Sequence, residues 1–300
     1  MWTEKVKDVA LGIRRKAFEY TVKHQGGYLS QVCSTAEILA TLYIKVLQLD
    51  ESNAPKVPKS FPGLPSNRNP IAHAGDQYHG PQAPHLDRFI ISPAYYSLAI
   101  YSALTQLYRL DGKALDLYRK EGTSLDLWLA PYSPGSTLHC GADAMGLSVA
   151  SGIAMGRKLR GENGRVWVLL DVDELGSGLA WETLMLLKHK PLSNLVIVIN
   201  HHYVDETPHW AQGFYQACQP WEVHQINGHD PMELYAAGKI YQSEGPVIIR
   251  ANTHPCQGML YLSLAGLPLD YVRFKGSRDR MNFEGALRAE LYKPKKRGKV

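Results

Sequence analysis

Apolar side chains recur every three or four positions in three parts of the chain. This spacing predicts helices over residues 3–23, 93–108 and 145–159. Residues 48–86 follow no such period and are rich in proline, asparagine, glycine and histidine, so a long irregular loop is expected there. Loops of this length inside a compact domain are often functional.

A further helix is expected after the first one. Gly26 and Gly27 interrupt the first helical pattern. Ser34 and Glu37 then have the spacing of a capping box, in which each side chain binds a main-chain amide at a helix start. The apolar run that follows predicts a helix that begins near Ser34 and continues to Leu47.

The second half of the chain alternates continuous apolar runs with helical segments. The runs predict buried strands at 165–170, 194–199, 222–226 and 246–249, with helices at 179–188 and from Pro231. This alternation implies right-handed βαβ units. The predicted fold class is therefore α/β, a parallel central sheet with helices on both faces. We find no internal repeat and no linker within it.

Composition limits the possible classes of protein. The chain has 300 residues, of which 45% are apolar, and this is enough for one large core. Part of its net charge of +5 lies in a basic tail at 293–299, within a C-terminal extension predicted over 271–300. The basic residues are not interleaved with aromatic ones on a folded face, so nucleic-acid binding is not expected.

Cysteine spacing and hydropathy indicate a cytoplasmic protein. The four cysteines form no CxxC pair, which argues against a zinc or redox motif. The first residues lack the apolar segment of a signal peptide. No run of about 18 apolar residues occurs, so no membrane span is expected.

Candidate chemistry lies where two of the predicted strands end. Ligands on parallel sheets bind at the carboxyl ends of strands. The residues there are Asp171, Val172, Asp173 and Glu174 after one strand, and Asn200, His201 and His202 after the next, with Asp205, Glu206 and His209 further on. Imidazole with carboxylate suits Zn²⁺, Fe²⁺ or Mn²⁺ better than Mg²⁺. A transition-metal site is therefore one hypothesis, and solvated loop residues are the alternative.

Seven stretches of the chain, in the same order as in the family, resemble the N-terminal, diphosphate-binding domain of the transketolase family. Among them are Gly-Gly-Tyr-Leu at 26–29, Leu-Asp-Arg-Phe at 86–89 and Asn-Gly-His-Asp at 227–230. The full set covers 26–43, 86–92, 133–150, 166–182, 192–198, 221–230 and 246–250. The resemblance implies the thiamine-diphosphate-binding fold over residues 1–270.

This resemblance also implies a partner. In the family, a pyrimidine-binding domain and a C-terminal domain follow the diphosphate-binding domain, whereas this sequence stops at residue 300. We therefore expect a split enzyme, inactive alone, whose second half is a separate pyrimidine-domain subunit within a homo- or hetero-oligomer. The ancestral reaction transfers a two-carbon ketol unit between sugar phosphates.

The family holds thiamine diphosphate through Mg²⁺, with ligands from an Asp in a Gly-Asp-Gly-Glu turn and a later Asn. Aligned on Glu174, this turn places Val172 at the metal Asp and puts Asp171 and Asp173 at the two glycines. The distal position is His202. Valine has no donor atom and neutral imidazole is a poor ligand for Mg²⁺, so binding of the cofactor is doubtful. A shifted turn would make Asp171 or Asp173 a ligand, and the candidate metal ligands are Asp171, Asp173, Asn200 and His202.

Other positions that the resemblance assigns to the cofactor are also replaced. Tyr28 and Tyr95 stand where the family has histidines. The second glycine-rich loop keeps Gly141 and Gly146, but Asp143 stands where a small turn would face the cofactor.

Two functions from different classes follow. One is a subunit that contributes to ketol transfer with its partner. The other is a pseudoenzyme, meaning a non-catalytic scaffold or regulatory subunit that stabilises an active paralogue. A pocket that now serves another ligand or metal is a variant of the second. Fold alone does not decide between them.

Overall fold

The structure is a computed structural model that describes residues 1–61, 63, 66–138, 143–203, 205–241, 244–264 and 271–292. Its helices are α1 (Trp2–Lys23), α2 (Leu29–Thr41), α3 (Ser97–Gln106), α4 (Met145–Leu159), α5 (Gly178–His189), α6 (His209–Ala217), α7 (Pro231–Gly238), α8 (Tyr261–Leu264) and α9 (Ser277–Leu291). Its strands are β1 (Gly26–Gly27), β2 (Arg88–Ile91), β3 (Val166–Asp171), β4 (Leu195–His201), β5 (Val223–Asn227), β6 (Val247–Asn252) and β7 (Val272–Arg273). Within these ranges no helix is both long and apolar enough to cross a bilayer.

The central sheet has five strands in the order β2-β3-β4-β6-β5, and every neighbouring pair is parallel. The α/β fold class predicted from the sequence is thus confirmed. The four predicted strands are present with ends shifted by a few residues. The fifth strand, β2, was not predicted as a strand because it is only four residues long and follows an irregular segment.

Side chains of the sheet point alternately into two separate layers of the core. On one face Trp167, Leu169 and Val198 pack with apolar residues of α1, α2 and α3. On the other face Val168 and Leu170 pack with residues of α4, α5 and α6. Each fully buried aliphatic side chain stabilises the fold by roughly 1.5–3 kcal/mol, which explains why both faces are covered. Because helices hide both faces, the accessible chemistry lies at the strand ends.

The predicted capping box at Ser34 is wrong. Helix α2 begins at Leu29, so Ser34 and Glu37 lie inside it and are buried. The carboxylate of Glu37 instead binds the guanidinium of Arg14 at 2.5–2.6 Å and Nδ1 of His229 at 2.9 Å. Sequence spacing alone could not distinguish a helix start from a buried ion pair.

The predicted loop at 48–86 is irregular over most of its described length but contains a 3-10 helix at Pro70–His79. Residues 271–292 pack on the same core as the rest. Strand β7 pairs with β1, and α9 places Phe283 6.3 Å from Phe18, measured between ring centroids. The boundary at residue 270 stays a prediction.

Candidate functional site

The candidate site is centred on the adjacent carboxyl ends of β3 and β4, where Asp171 is in register with Asn200. Asp171 caps the 3-10 helix Val172–Gly176 by accepting a hydrogen bond from the main-chain nitrogen of Asp173 at 3.0 Å. Glu174 completes the capping box by accepting from the nitrogen of Asp171 at 2.9 Å. The acidic residues of this turn therefore determine its shape as well as its charge.

Val172 lies entirely inside the core. Its side chain is fully buried among the residues that cover the α4 and α5 face of the sheet. The position that the family resemblance assigns to the metal Asp thus offers no donor atom and does not face the cleft.

His202 lies between two carboxylates. Its Nε2 is 3.0 Å from Oδ1 of Asp171 and 3.6 Å from Oδ2 of Asp173. Tyr203 stacks on the imidazole with ring centroids 5.1 Å apart and donates a hydrogen bond to Asp173 at 2.8 Å. Burial opposes a charge on the ring, but the hydrogen bonds and charges of the two aspartates outweigh it and raise the pKa of His202 to about 10. His202 is therefore an imidazolium at neutral pH.

The same contacts act on the aspartate that faces His202. The hydrogen bond from the imidazole, with a second from Tyr203, lowers the pKa of Asp173. Both partners thus favour the charged pair, as expected for opposite charges at hydrogen-bonding distance.

Asn200 is held in place by hydrogen bonds at both its amide nitrogen and its amide oxygen. Its amide nitrogen donates to Oγ of Ser34 at 3.0 Å and to the hydroxyl of Tyr96 at 2.7 Å. Its amide oxygen accepts from Thr253 at 2.7 Å, and the whole side chain is buried. Tyr96 in turn donates a short hydrogen bond to Oδ2 of Asp171. These contacts fix Asn200 as part of the wall behind Asp171.

Glu174 is a buried acid at the base of the site. It accepts from Oγ of Ser92 at 2.6 Å and from the nitrogen of Ala144 at 2.8 Å. Burial is the largest effect on this group and raises the pKa of Glu174 to about 8, although these hydrogen bonds oppose the shift. Its contacts hold the start of α4 against β3, and they turn the carboxylate away from the cleft.

Gly146 has a packing role in this arrangement. A β-carbon built there would lie 2.5 Å from Cβ of Ser92 and 2.6 Å from its Cα, so the helix could not approach the strand end. Asp143, just before α4, is exposed. Gly141 lies outside the described residues.

The two tyrosines at the replaced histidine positions lie in an aromatic chain. The ring centroids of Tyr28 and Tyr95 lie 5.6 Å apart, and those of Tyr95 and Tyr96 lie 5.3 Å apart. Tyr96 donates a hydrogen bond to Asp171. Tyr271 extends the chain beyond Tyr28, with ring centroids 5.0 Å apart. Tyr28 and Tyr95 thus connect to the site through Tyr96. Sequence reasoning missed Tyr96 because only its neighbour aligned with a functional position.

His201 belongs to a different network from His202. Its Nε2 accepts from Arg250 at 2.9 Å, and its ring contacts the hydroxyl of Tyr215 at 3.1 Å. Burial and the charge of Arg250 lower the pKa of His201 to about 4, so this ring is neutral. Of the residues named for a transition metal, the structure brings together Asp171, Asp173 and His202, whose ligand atoms lie within 4.8 Å of one another.

A cleft of about 590 Å³ opens above these residues. It is lined by Ser30, Gln31, Ser34, Asp171, Asp173, His202, Tyr203, Asp205, Glu206 and Pro255. Four of these residues carry carboxylates, and two of them, Asp171 and Asp173, contact the imidazole of His202. Asp205 and Glu206 are exposed. The excess of carboxylates in the lining repels a diphosphate, and solvent and salt weaken this repulsion at the exposed positions.

The described residues do not fit a diphosphate held through magnesium. The Val172 side chain has no oxygen, the side chain of Asn200 is buried, and the imidazole of His202 lies between Asp171 and Asp173. Mg²⁺ is bound through carboxylate oxygens, and in this arrangement the carboxylates of both aspartates contact His202 instead.

Comparisons with known proteins agree with this fold. No protein-family profile matches the chain. A transketolase family protein of Sinorhizobium fredii (strain NBRC 101917 / NGR234) is 23% identical over 261 residues, 83% of this chain and 84% of the relative. Human transketolase-like protein 2 is 23% identical over 77% of this chain but only 34% of its own length. One of the subunits of the apulose-4-phosphate transketolase of Actinobacillus succinogenes is 29% identical over 143 residues, 43% of this chain and 50% of the relative.

Solved structures resemble the chain over nearly its whole length. A transketolase from Pichia stipitis superposes with a TM-score of 0.64 at 15% identity and covers 96% of this chain. The transketolase of Leishmania mexicana gives 0.62 at 16% identity and the same coverage. The chain spans 44% of either structure. The protein thus has a transketolase fold, and the resemblance to the transketolase family indicated by the seven motifs is confirmed.

Proposed function

We propose that this chain is a transketolase-like subunit that assembles with a separate pyrimidine-domain protein and serves there as a non-catalytic scaffold or regulatory component. The observation that carries the proposal is the placement of Nε2 of His202 at 3.0 Å from Asp171 and 3.6 Å from Asp173. The imidazolium of His202 lies where the resemblance to the transketolase family predicts a divalent metal ion. The ancestral transfer of a two-carbon ketol unit is therefore assigned to the assembly and not to this site.

A separate partner is supported by the name of one relative. The apulose-4-phosphate transketolase relative, half of whose length is matched, carries the name of a subunit. This name fits a chain that functions as one part of a transketolase-type assembly.

The altered site supports the non-catalytic role. A magnesium-bound cofactor would have to displace the imidazolium of His202 from two carboxylates, at a cost of several kcal/mol for the broken contacts. The metal would still lack the ligand replaced by Val172, which is buried in the core.

Calorimetric titration tests this proposal. Thiamine diphosphate with Mg²⁺ is added to the chain alone and to the chain mixed with a pyrimidine-domain subunit of a transketolase. We expect no binding by this chain in either state. Micromolar binding of thiamine diphosphate through residues of this chain would refute the scaffold role and favour a catalytic subunit.

Matched variants identify the cause of the result. His202→Asn removes the imidazolium and supplies an amide oxygen, so it should increase the affinity for Mg²⁺ relative to the wild type. His85→Asn changes an exposed histidine elsewhere and should behave as the wild type does. Equal Mg²⁺ affinities for all three proteins would show that His202 does not block the position.

A second candidate function is a site for Zn²⁺, Fe²⁺ or Mn²⁺. It is favoured by the three ligand atoms of Asp171, Asp173 and His202, which lie within 4.8 Å of one another and face an open cleft. Imidazole and carboxylate are suitable ligands for these ions. Elemental analysis of the purified protein decides this: one metal ion per chain supports the site, and substoichiometric metal excludes it.

A further inference from the structure

A second cavity, of about 300 Å³, lies beside strand β2 and along the C-terminal half of α4. None of the residues that line it belongs to the cleft above Asp171. We propose that this cavity binds a small organic anion through its phosphate or carboxylate group, with Arg88 as the principal contact. The proposal does not depend on the scaffold function of the chain.

Arg88 has unused hydrogen-bonding capacity. It is half-buried on the cavity wall, and its hydrogen bond among the described residues is a long one of 3.3 Å to the main-chain oxygen of Asp87. Among the described residues, no carboxylate lies within ion-pair distance of the Arg88 guanidinium. Burial and the nearby charge of Arg157 lower the pKa of Arg88, and the charges of Glu162 and Asp76 oppose this shift only in part.

The two other arginines on the wall share one carboxylate. Nη1 of Arg157 lies 3.2 Å from Glu162, and Nε of Arg160 lies 2.5 Å from the other oxygen of the same side chain. Arg157 is buried and also donates to the main-chain oxygens of Pro84 and Leu86 at 2.8 and 2.9 Å. Glu162 is thus engaged by two cations, and its charge offsets that of Arg88 only in part.

The acidic residues on the wall have other partners. Asp87 accepts from the main-chain nitrogens of Gln48 and Arg165 at 2.9 and 2.8 Å, and from the indole of Trp167 at 3.2 Å. Asp76 accepts a short hydrogen bond from Gln82. Burial raises the pKa of both aspartates, and the charge of Arg88 opposes this shift at Asp76. In the part of the chain that the structure describes, neither carboxylate makes a hydrogen bond to the guanidinium of Arg88.

Two glycines on α4 provide the space. A β-carbon at Gly152 would meet no atom within 4 Å, and one at Gly156 would lie 3.6 Å from Nη1 of Arg160. Ile153 and Pro81 give the wall an apolar portion, and Thr137 adds a hydroxyl. The volume is at the lower end of the range for ligand pockets. A guanidinium recognises a carboxylate or phosphate through two parallel hydrogen bonds, which suits this mixed lining to a small organic anion.

Calorimetry on the full chain tests the proposal with two probes, inorganic phosphate and benzoate, at ionic strength matched with chloride. We expect the wild type to bind at least one probe at millimolar concentration or below. Binding of phosphate alone or benzoate alone identifies the anionic group. Failure of both probes overturns the proposal.

Three variants locate the binding. Arg88→Gln should weaken it by about tenfold or more, because a charge-assisted hydrogen bond is lost. Gly152→Leu keeps every arginine but fills the cavity, and it should weaken binding to a similar degree. Arg278→Gln removes an equal charge from an exposed position on α9 and should bind as the wild type does.

The variants also separate a built site from general attraction. Circular dichroism must show the same fold for each, and Gly152→Leu is expected to fold because its position is exposed on a helix. Equal affinities for Gly152→Leu and the wild type, or equal losses for Arg88→Gln and Arg278→Gln, would refute a site in this cavity.

Discussion

The charge on His202 can be measured through its contribution to stability. In the folded chain the two aspartates raise the pKa of His202 from its ordinary value of 6.5 to about 10. A group whose folded pKa is raised contributes stability that is fully present below pH 6.5 and is lost as the pH rises toward 10. His202→Gln removes this contribution and keeps a side chain of similar polarity.

The magnitude follows from the two pKa values and from the geometry. At about 1.4 kcal/mol per pH unit, the difference between 6.5 and about 10 corresponds to roughly 4–5 kcal/mol below pH 6.5. The Coulomb energy of one close ion pair at intermediate dielectric, about 4 kcal/mol, is of the same order. Because the His202 side chain is 25% exposed, solvent reduces the expected effect to about 2–4 kcal/mol.

The assay is urea unfolding followed by circular dichroism between pH 6 and pH 10. We expect the free energy of unfolding of the wild type to exceed that of His202→Gln by about 2–4 kcal/mol at pH 6, and the difference to shrink toward pH 10. Glu174, with a pKa of about 8, titrates in the same window, but it is present in both proteins and its effect largely cancels in the difference. A difference that stays constant with pH would refute the imidazolium between Asp171 and Asp173.

Three further substitutions or conditions give independent tests. Gly146→Ala should destabilise the fold by about 1–3 kcal/mol, because the new β-carbon would lie 2.5 Å from Cβ of Ser92. The loss should appear as a lower urea midpoint. The control Gly152→Ala should be neutral or stabilising, because a β-carbon there meets no atom within 4 Å. Burial lowers the pKa of His79 to about 4, so stability should fall by up to about 3 kcal/mol as the pH drops from 6.5 toward 4, and His79→Gln should flatten this slope in acid unfolding. Glu37→Gln should cost about 3–5 kcal/mol in chemical unfolding because it leaves the guanidinium of Arg14 buried without its 2.5 Å partner, and a loss below 1 kcal/mol would contradict this ion pair.

The sequence predicted the sheet well because its buried strands consist of continuous apolar runs. Helix α4 was predicted over its full length, 145–159, from one uninterrupted apolar period. The start of α2 was predicted wrongly. Ser34 and Glu37 have the spacing of a capping box, but contacts with distant residues bury them inside the helix. Local patterns indicate helices and strands, whereas tertiary partners decide where some of them begin.

The candidate site was predictable only in its location. Adjacent parallel strands bring Asp171 and His202 to one edge, and that followed from the alternation of elements. The alternation of strands and helices did not indicate which of the two histidines faces the aspartates. His201 is the last residue of β4 and binds Arg250, whereas His202 lies beyond the strand and turns toward Asp171. Tyr96 lies 75 positions before the aspartate it binds, and no local spacing indicates such a contact.

The replacements at the strand ends form a coherent physical change. A metal site in a protein leaves clustered carboxylates that repel one another until the ion binds, so part of the stability depends on the ligand. Here the single charge of the His202 imidazolium partly offsets the charges of Asp171 and Asp173 from within the chain, and Val172 adds a buried aliphatic side chain worth roughly 1.5–3 kcal/mol. In the function proposed for this chain, stability that a bound ion would supply comes from these side chains instead. A chain altered in this way can keep the transketolase fold, and the surfaces by which it would assemble, with no requirement for the cofactor at this position.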